Sequence, residues 1–115
     1  MDSLEVVERD LVYIVNSLTE EMTKLSGKRV LITGGAGFLG YYLVQSLVKW
    51  NDINENSKND LIEIEVYDNF IRGKPSWLSD LEIRDAINLK SHDITLPLPN
   101  DVGDVSYIIH AASIA

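Results

Sequence analysis

"VLITGGAGFLGYYLV", residues 30–44, is the stretch whose reading decides the fold. A β-branched apolar run reaches a cluster of glycines, and a second apolar run starts at once. Glycine loses more conformational freedom on folding than any other residue, so glycines at the join of two elements must answer a need for bare backbone. The run "RVLITG" suits a strand buried on both faces. Residues 38–50 suit a helix, with Leu39, Leu43, Leu47 and Trp50 on one face. The glycines therefore sit where a strand turns into a helix.

The spacing Gly35-x-Gly37-x-x-Gly40 is that of a dinucleotide fingerprint, and Gly34, Gly37 and Gly40 also form a G-x-x-G-x-x-G series. A tight turn needs positive φ, which suits Gly34 or Gly35. A diphosphate must come close to the main chain, and a Cβ at Gly37 would obstruct it. Gly40 lets the helix lie close to the sheet. The amides at the helix start, with the positive end of its dipole, then hold the anion. A P-loop is excluded, because Tyr41 and Tyr42 stand where Lys and Ser or Thr are required.

Working outward, "LIEIEVYD" is a second strand, with Glu63 and Glu65 marking a more solvated face. It ends in Asp68, where a carboxylate can accept from both ribose hydroxyls of an adenosine and would repel a 2′-phosphate. That points to NAD over NADP. The polar insertion "NDINENSKND" makes the distance from the glycines longer than the usual ~20 residues. Arg72 and Lys74 are nearby cations able to meet a 2′-phosphate. A short helix is expected near Trp77–Leu81, a third strand in "AINLKSHDI" and a fourth in "VSYIIHAA". Asp93 ends the third strand, placed to accept from an adenine amino group beside the Ile94 backbone. His92 and His110 have no second metal ligand at suitable spacing and read as structural. The alternation predicts an α/β fold with a parallel, Rossmann-type sheet, the N-terminal part of a doubly wound domain.

Upstream, Leu4, Val7, Leu11, Ile14 and Leu18 recur at spacings of three and four, continued by Met22 and Leu25, which predicts one amphipathic helix over 3–25. Asp2 with Glu5 resembles a capping box, and Gly27 suits the helix stop. The stripe fits a short coiled-coil seam or packing against the chain's own body; the second is favoured. Residues 1–26 are thus an N-terminal amphipathic helix, and 27–115 the N-terminal part of an NAD-binding Rossmann domain.

The 115 residues are enough for about one domain. The 18 acidic against 10 basic residues give a formal charge of −8, which disfavours nucleic acid and anionic membranes as partners. The absence of cysteine excludes disulfides, thiolate metal sites and cysteine nucleophiles. With no basic n-region and no run long enough to cross a bilayer, a cytoplasmic location is expected.

Taken in order, "TGGAGFLG", "YDNFIRG", "HDI" and "HAAS" resemble the extended short-chain dehydrogenase/reductase family, over roughly residues 28–115. That family includes NAD-dependent nucleotide-sugar epimerases, 4,6-dehydratases and UDP-glucuronate decarboxylases, and "DNFIRGK" is most similar to the decarboxylase-like branch. The resemblance implies that Gly34, Gly37, Phe38 and Leu39 line the pyrophosphate of NAD. It implies that Asp68, Asn69, Phe70, Arg72 and Gly73 surround the adenosine ribose, and that Asp93 and Ile94 flank adenine. Ala111 and Ala112 would lie near the cofactor's middle, and Ser113 where a nucleotide-sugar substrate enters. A homodimer is among the assemblies it allows.

The family's chemistry, as the resemblance implies it, begins with hydride removal from a sugar carbon, with a tyrosine as base and a lysine four residues on. Here the tyrosines are Tyr13, Tyr41, Tyr42, Tyr67 and Tyr107, and the residues four places later are Ser17, Gln45, Ser46, Ile71 and Ala111. None is lysine. The chain carries no catalytic residue of that kind, and by itself is expected to be inactive. Two functions follow: the cofactor-binding portion of a nucleotide-sugar enzyme, or a stand-alone nucleotide-binding or scaffold module.

Overall fold

A computed structural model of the chain describes residues 3–56, 61–71, 73–93, 95–97 and 104–111. Four strands form one parallel sheet: β1 (Arg29–Thr33), β2 (Glu63–Asp68), β3 (Asn88–Ser91) and β4 (Tyr107–His110), in the order β3-β2-β1-β4. Helices α1 (Ser3–Ser17) and α2 (Thr19–Leu25) precede β1. Helix α3 (Phe38–Ile53) joins β1 to β2, and α4 (Ser76–Ile83) joins β2 to β3. This is the expected Rossmann-type α/β arrangement, preceded by a helical N-terminal segment. Because β1 stands between β2 and β4, the chain reverses its direction of travel across the sheet beside β1, and α/β sheets place ligands at the carboxyl ends of the strands flanking such a point.

The core explains the strand sequences. Val30, Ile32, Ile64 and Val66 lie on one sheet face, buried against Val44, Leu47 and Val48 of α3 and Leu78 and Leu81 of α4. Leu31 and Tyr67 are buried in a smaller cluster with Val105, so β1 is apolar on both sides, as its unbroken run implied. Glu63 is exposed and Glu65 half-buried. Arg29 pairs with Glu63 at 2.9 Å, and Asn88 donates to Glu65 at 2.9 Å. The acids of β2 are therefore tied across strands on the more solvated face. The Glu63 hydrogen bond, above all, holds the Arg29 guanidinium's pKa above its ordinary value.

The N-terminal segment departs from the single helix expected. It breaks at Leu18, whose φ of −110° and ψ of 23° are not helical. The Thr19 hydroxyl donates to the carbonyls of Val15 and Asn16, and back-bonding of this kind bends a helix. Both halves keep their contact with the body. Leu11 and Val15 are buried on α1, which packs on α3 and is joined to it by the Glu8–Lys49 ion pair; Met22 of α2 enters the main core. Leu4, at the far end of the stripe, is exposed. Gly27 follows the α2 cap with φ of +75°, and its N–H donates to Leu61, so the helix stop falls where expected. Asp2 lies outside the described residues.

Candidate functional site

The turn after β1 uses each glycine differently. Gly34 takes φ of +75°, so the positive φ falls there and not at Gly35. Its N–H donates to Tyr67 at 2.8 Å, which anchors the turn to β2. A Cβ at Gly35 would lie 2.3 Å from the Val66 side chain, and one at Gly40 would lie 2.6 Å from both the Gly34 carbonyl oxygen and the Gly35 Cα. Those two glycines are bare because the protein packs against them; at Gly40 the neighbour is the turn itself. Gly37 is the exception. It is the N-cap of α3, exposed, with φ of −83°, and a Cβ there would meet nothing closer than the Gly34 carbonyl at 3.7 Å. Nothing inside the described chain requires glycine at this position.

Helix α3 therefore begins without a side-chain cap and without an acid in its first turn. Its leading amides and the positive end of its dipole are left for an anion. Phe38 and Leu39, in that first turn, are 84% and 56% exposed, an apolar pair at the mouth of the turn. Behind them Tyr41 packs edge-on to Trp77 of α4 at 4.8 Å. Burial, with a smaller contribution from Tyr42, raises the Tyr41 phenol's pKa above its ordinary value; it is a poor proton acceptor near neutrality.

Asp68 ends β2 beside this turn. Its Oδ2 accepts from the Ala36 N–H at 3.0 Å, and its Oδ1 accepts from the Phe70 N–H at 2.7 Å. Phe70 has φ of +57°, a conformation uncommon outside glycine. The Asn69 carboxamide accepts from Ile71 N–H, and Gly73 turns the loop with φ of +93°. Lys74 lies over the Phe70 ring, 5.8 Å from its centre, and pairs with Glu82 at 3.0 Å. One strand further on, His92 N–H donates to the Asp68 carbonyl. Asp93 is exposed and accepts from both the hydroxyl and the N–H of Thr95, which hold its carboxyl below the usual carboxylate range. On the other side of β1, Ala111 N–H donates to the Thr33 carbonyl. Buried Thr33 shares a 2.8 Å hydrogen bond with His110 Nδ1 across the β1–β4 junction.

The structure thus gathers Gly34, Gly37, Phe38, Leu39, Asp68, Asn69, Phe70, Gly73, Asp93 and Ala111 on the loops at the carboxyl ends of the four strands. Arg72, Ile94, Ala112 and Ser113, expected at the same site, lie outside the described residues. The partnership of Asp68 with Ala36 and the Thr33–His110 bond were not foreseen from sequence. The one available signal was a hydroxyl residue closing an otherwise apolar strand. A concavity of about 320 Å³ lies at the opposite end of the sheet between α3 and the starts of β2 and β3, where Arg84 pairs with Asp52 at 3.0 Å. Among the described residues no cluster of His, Asp and Glu could hold a metal ion, and no helix is long and apolar enough to cross a membrane.

Sheet order, glycine turn and acid-ended second strand define a Rossmann-type α/β chain of the extended short-chain dehydrogenase/reductase class. Residues 31–115 match the 3-beta hydroxysteroid dehydrogenase/isomerase family, and the chain belongs to that family. It is 36% identical over 88 residues to UDP-glucuronic acid decarboxylase 5 of Arabidopsis thaliana, covering 76% of this chain and 23% of that protein. It is 33% identical over 86 residues to UDP-glucuronic acid decarboxylase 1 of Danio rerio, covering 75% and 18% respectively. The chain spans about a quarter or less of the length of these relatives.

Proposed function

We propose that this chain binds NAD across the glycine turn and serves as the cofactor-binding portion of a nucleotide-sugar epimerase, dehydratase or decarboxylase. The observation that carries the proposal is Gly37. Ser, Thr, Asp or Asn at a helix N-cap would satisfy the first amides with a side-chain oxygen, whereas glycine, also common there, leaves them open; here it is a glycine whose bareness the fold does not use, ahead of uncapped amides. An external anion pressed against the main chain accounts for both features.

The residues present suit that cofactor. Gly34, Gly37, Phe38 and Leu39 would hold the pyrophosphate. Asp68, with Asn69, Phe70, Arg72 and Gly73, would hold the adenosine ribose. Asp93 and Ile94 would flank adenine, with Ala111 and Ala112 nearer the middle of the cofactor and Ser113 at the substrate's entry. Bound there, NAD supplies a reversible hydride acceptor. Lys74, the described cation near the ribose loop, is engaged by Glu82 and by the Phe70 ring, which supports NAD over NADP.

The relatives' shared name favours a nucleotide sugar over a steroid as the substrate class. No tyrosine of the chain is followed four residues later by lysine, so the proton-transfer couple would have to come from elsewhere, and the 115 residues alone would not turn over substrate. Exposed Tyr107 and Ile108 on the edge strand β4 favour a sheet extended by further chain over a stand-alone module. Calorimetric titration tests the cofactor: saturable heat with NAD and much weaker heat with NADP are expected, and no heat with NAD refutes the proposal. Incubation of UDP-glucuronic acid with a polypeptide that carries this chain and is of the relatives' length tests the reaction class.

A further inference from the structure

Asp68 bonds to residues that follow three of the four strands, β1, β2 and β3, at its end of the sheet. Its two carboxylate oxygens hold Ala36 of the glycine turn at 3.0 Å and Phe70 of the following loop at 2.7 Å, and its carbonyl holds His92 at 2.9 Å. The Ala36 amide lies between Gly34, in the left-handed region, and Gly37, the cap of α3. Three glycines in four residues give this turn many alternative conformations; the Gly34–Tyr67 bond anchors its start, and the charge-assisted Asp68 bond holds its Ala36 amide. Phe70, in a conformation that disfavours side chains, is held by the same carboxylate.

We infer that Asp68 is a positioning residue for the phosphate-binding turn. It fixes the turn with its amides open before any cofactor arrives, and it couples that turn to the loop on the ribose side. The inference rests on the cofactor reading above but differs from it in sign. If Asp68 met only the ribose, its removal would leave a ligand without ribose unaffected, or would strengthen an anion's binding by deleting a negative charge. As a positioning residue, its removal weakens that anion.

The test uses the 115-residue chain as wild type, Asp68→Ala and Asp68→Asn, with folding checked by far-ultraviolet circular dichroism. Amide hydrogen exchange is followed at Ala36 and Phe70 in ligand-free protein, and inorganic pyrophosphate is titrated by amide chemical shifts. Expected in Asp68→Ala are exchange at Ala36 faster by about tenfold or more and weaker pyrophosphate binding. Asp68→Asn, which keeps one oxygen acceptor without the charge, should restore protection at one of the two amides and part of the affinity. Unchanged Ala36 exchange, or pyrophosphate bound equally or more tightly by Asp68→Ala, overturns the inference. Should Asp68→Ala not fold, the same two readouts on Asp68→Asn decide. Loss of Ala36 protection in the variants, with no binding of NAD by the wild type, would sink the cofactor proposal while the positioning of the turn stands.

Discussion

The side-chain amide of Asn51 closes both backbone hydrogen bonds of Ile62: Nδ2 donates to the Ile62 carbonyl at 2.7 Å, and Oδ1 accepts from its N–H at 2.8 Å. One side chain in the last turn of α3 thereby imitates a rung of a β-ladder at the approach to β2, across the polar insertion. Asn51→Ala leaves both groups of a buried residue without this partner and should destabilise the chain by about 1–3 kcal/mol, read as a lower urea midpoint. Asn51→Asp keeps the acceptor but sets a carboxylate oxygen against the Ile62 carbonyl in place of the donor, and should lose at least as much. A midpoint unchanged in Asn51→Ala would show that water replaces the rung.

Gly37 and Gly40 make a matched pair. Gly40→Ala drives a methyl into the Gly34 carbonyl and Gly35 Cα, both backbone atoms that cannot swing aside, and should cost about 1–3 kcal/mol of stability. Gly37→Ala meets no such contact and should stay within about 0.5 kcal/mol of wild type. Its NAD affinity should nevertheless fall about tenfold or more, since the methyl stands where the pyrophosphate is proposed to lie. Equal NAD affinity in Gly37→Ala and wild type would contradict that placement.

Acid should open the turn after β3 at Asp93. Its carboxylate is favoured in the folded chain by the Thr95 hydroxyl and N–H. The bonds are therefore fully present above the unfolded carboxyl value of about 3.9 and are lost as pH falls through the lower folded value. The Thr95 amide resonance should move with a midpoint below pH 4, and Asp93→Asn should abolish that transition. A midpoint above pH 4 would contradict the reading of these bonds.

Release of Lys74 should relax cofactor preference. The Lys74–Glu82 pair is partly exposed, and such pairs are worth about 1 kcal/mol or less. Glu82→Gln should therefore raise NADP affinity relative to NAD by no more than about fivefold. An unaltered ratio in competition titrations would place Lys74 away from the ribose 2′ position.

Much of this was legible along the chain because it is local. The apolar run at 30–33, the glycines after it and the 3.6-residue stripe beyond depend on residues close in sequence, so β1, the turn and α3 fall where pattern and turn chemistry put them. Asp68 at the end of β2 follows from the same punctuation; Asp93, expected at the end of the third strand, lies two residues beyond it, since β3 stops at Ser91. The break at Leu18 was hidden, because it arises from a hydroxyl bonding back to its own helix while the apolar spacing continues unbroken. Asn51 reads as one more residue of a polar insertion until its amide is seen against Ile62.

Sequence alone determined the fold class and the residue types at the turn, since element periods and backbone freedom are properties of neighbouring residues. Only the tertiary structure decided which glycines the protein itself needs and which it leaves bare. It alone showed that the Asp68 carboxylate reaches the Ala36 amide 32 residues away in the chain, and that Thr33 meets His110 across 77. Those are contacts at strand ends that parallel strand pairing brings to one end of the sheet, and no local pattern encodes a partner so far along the chain.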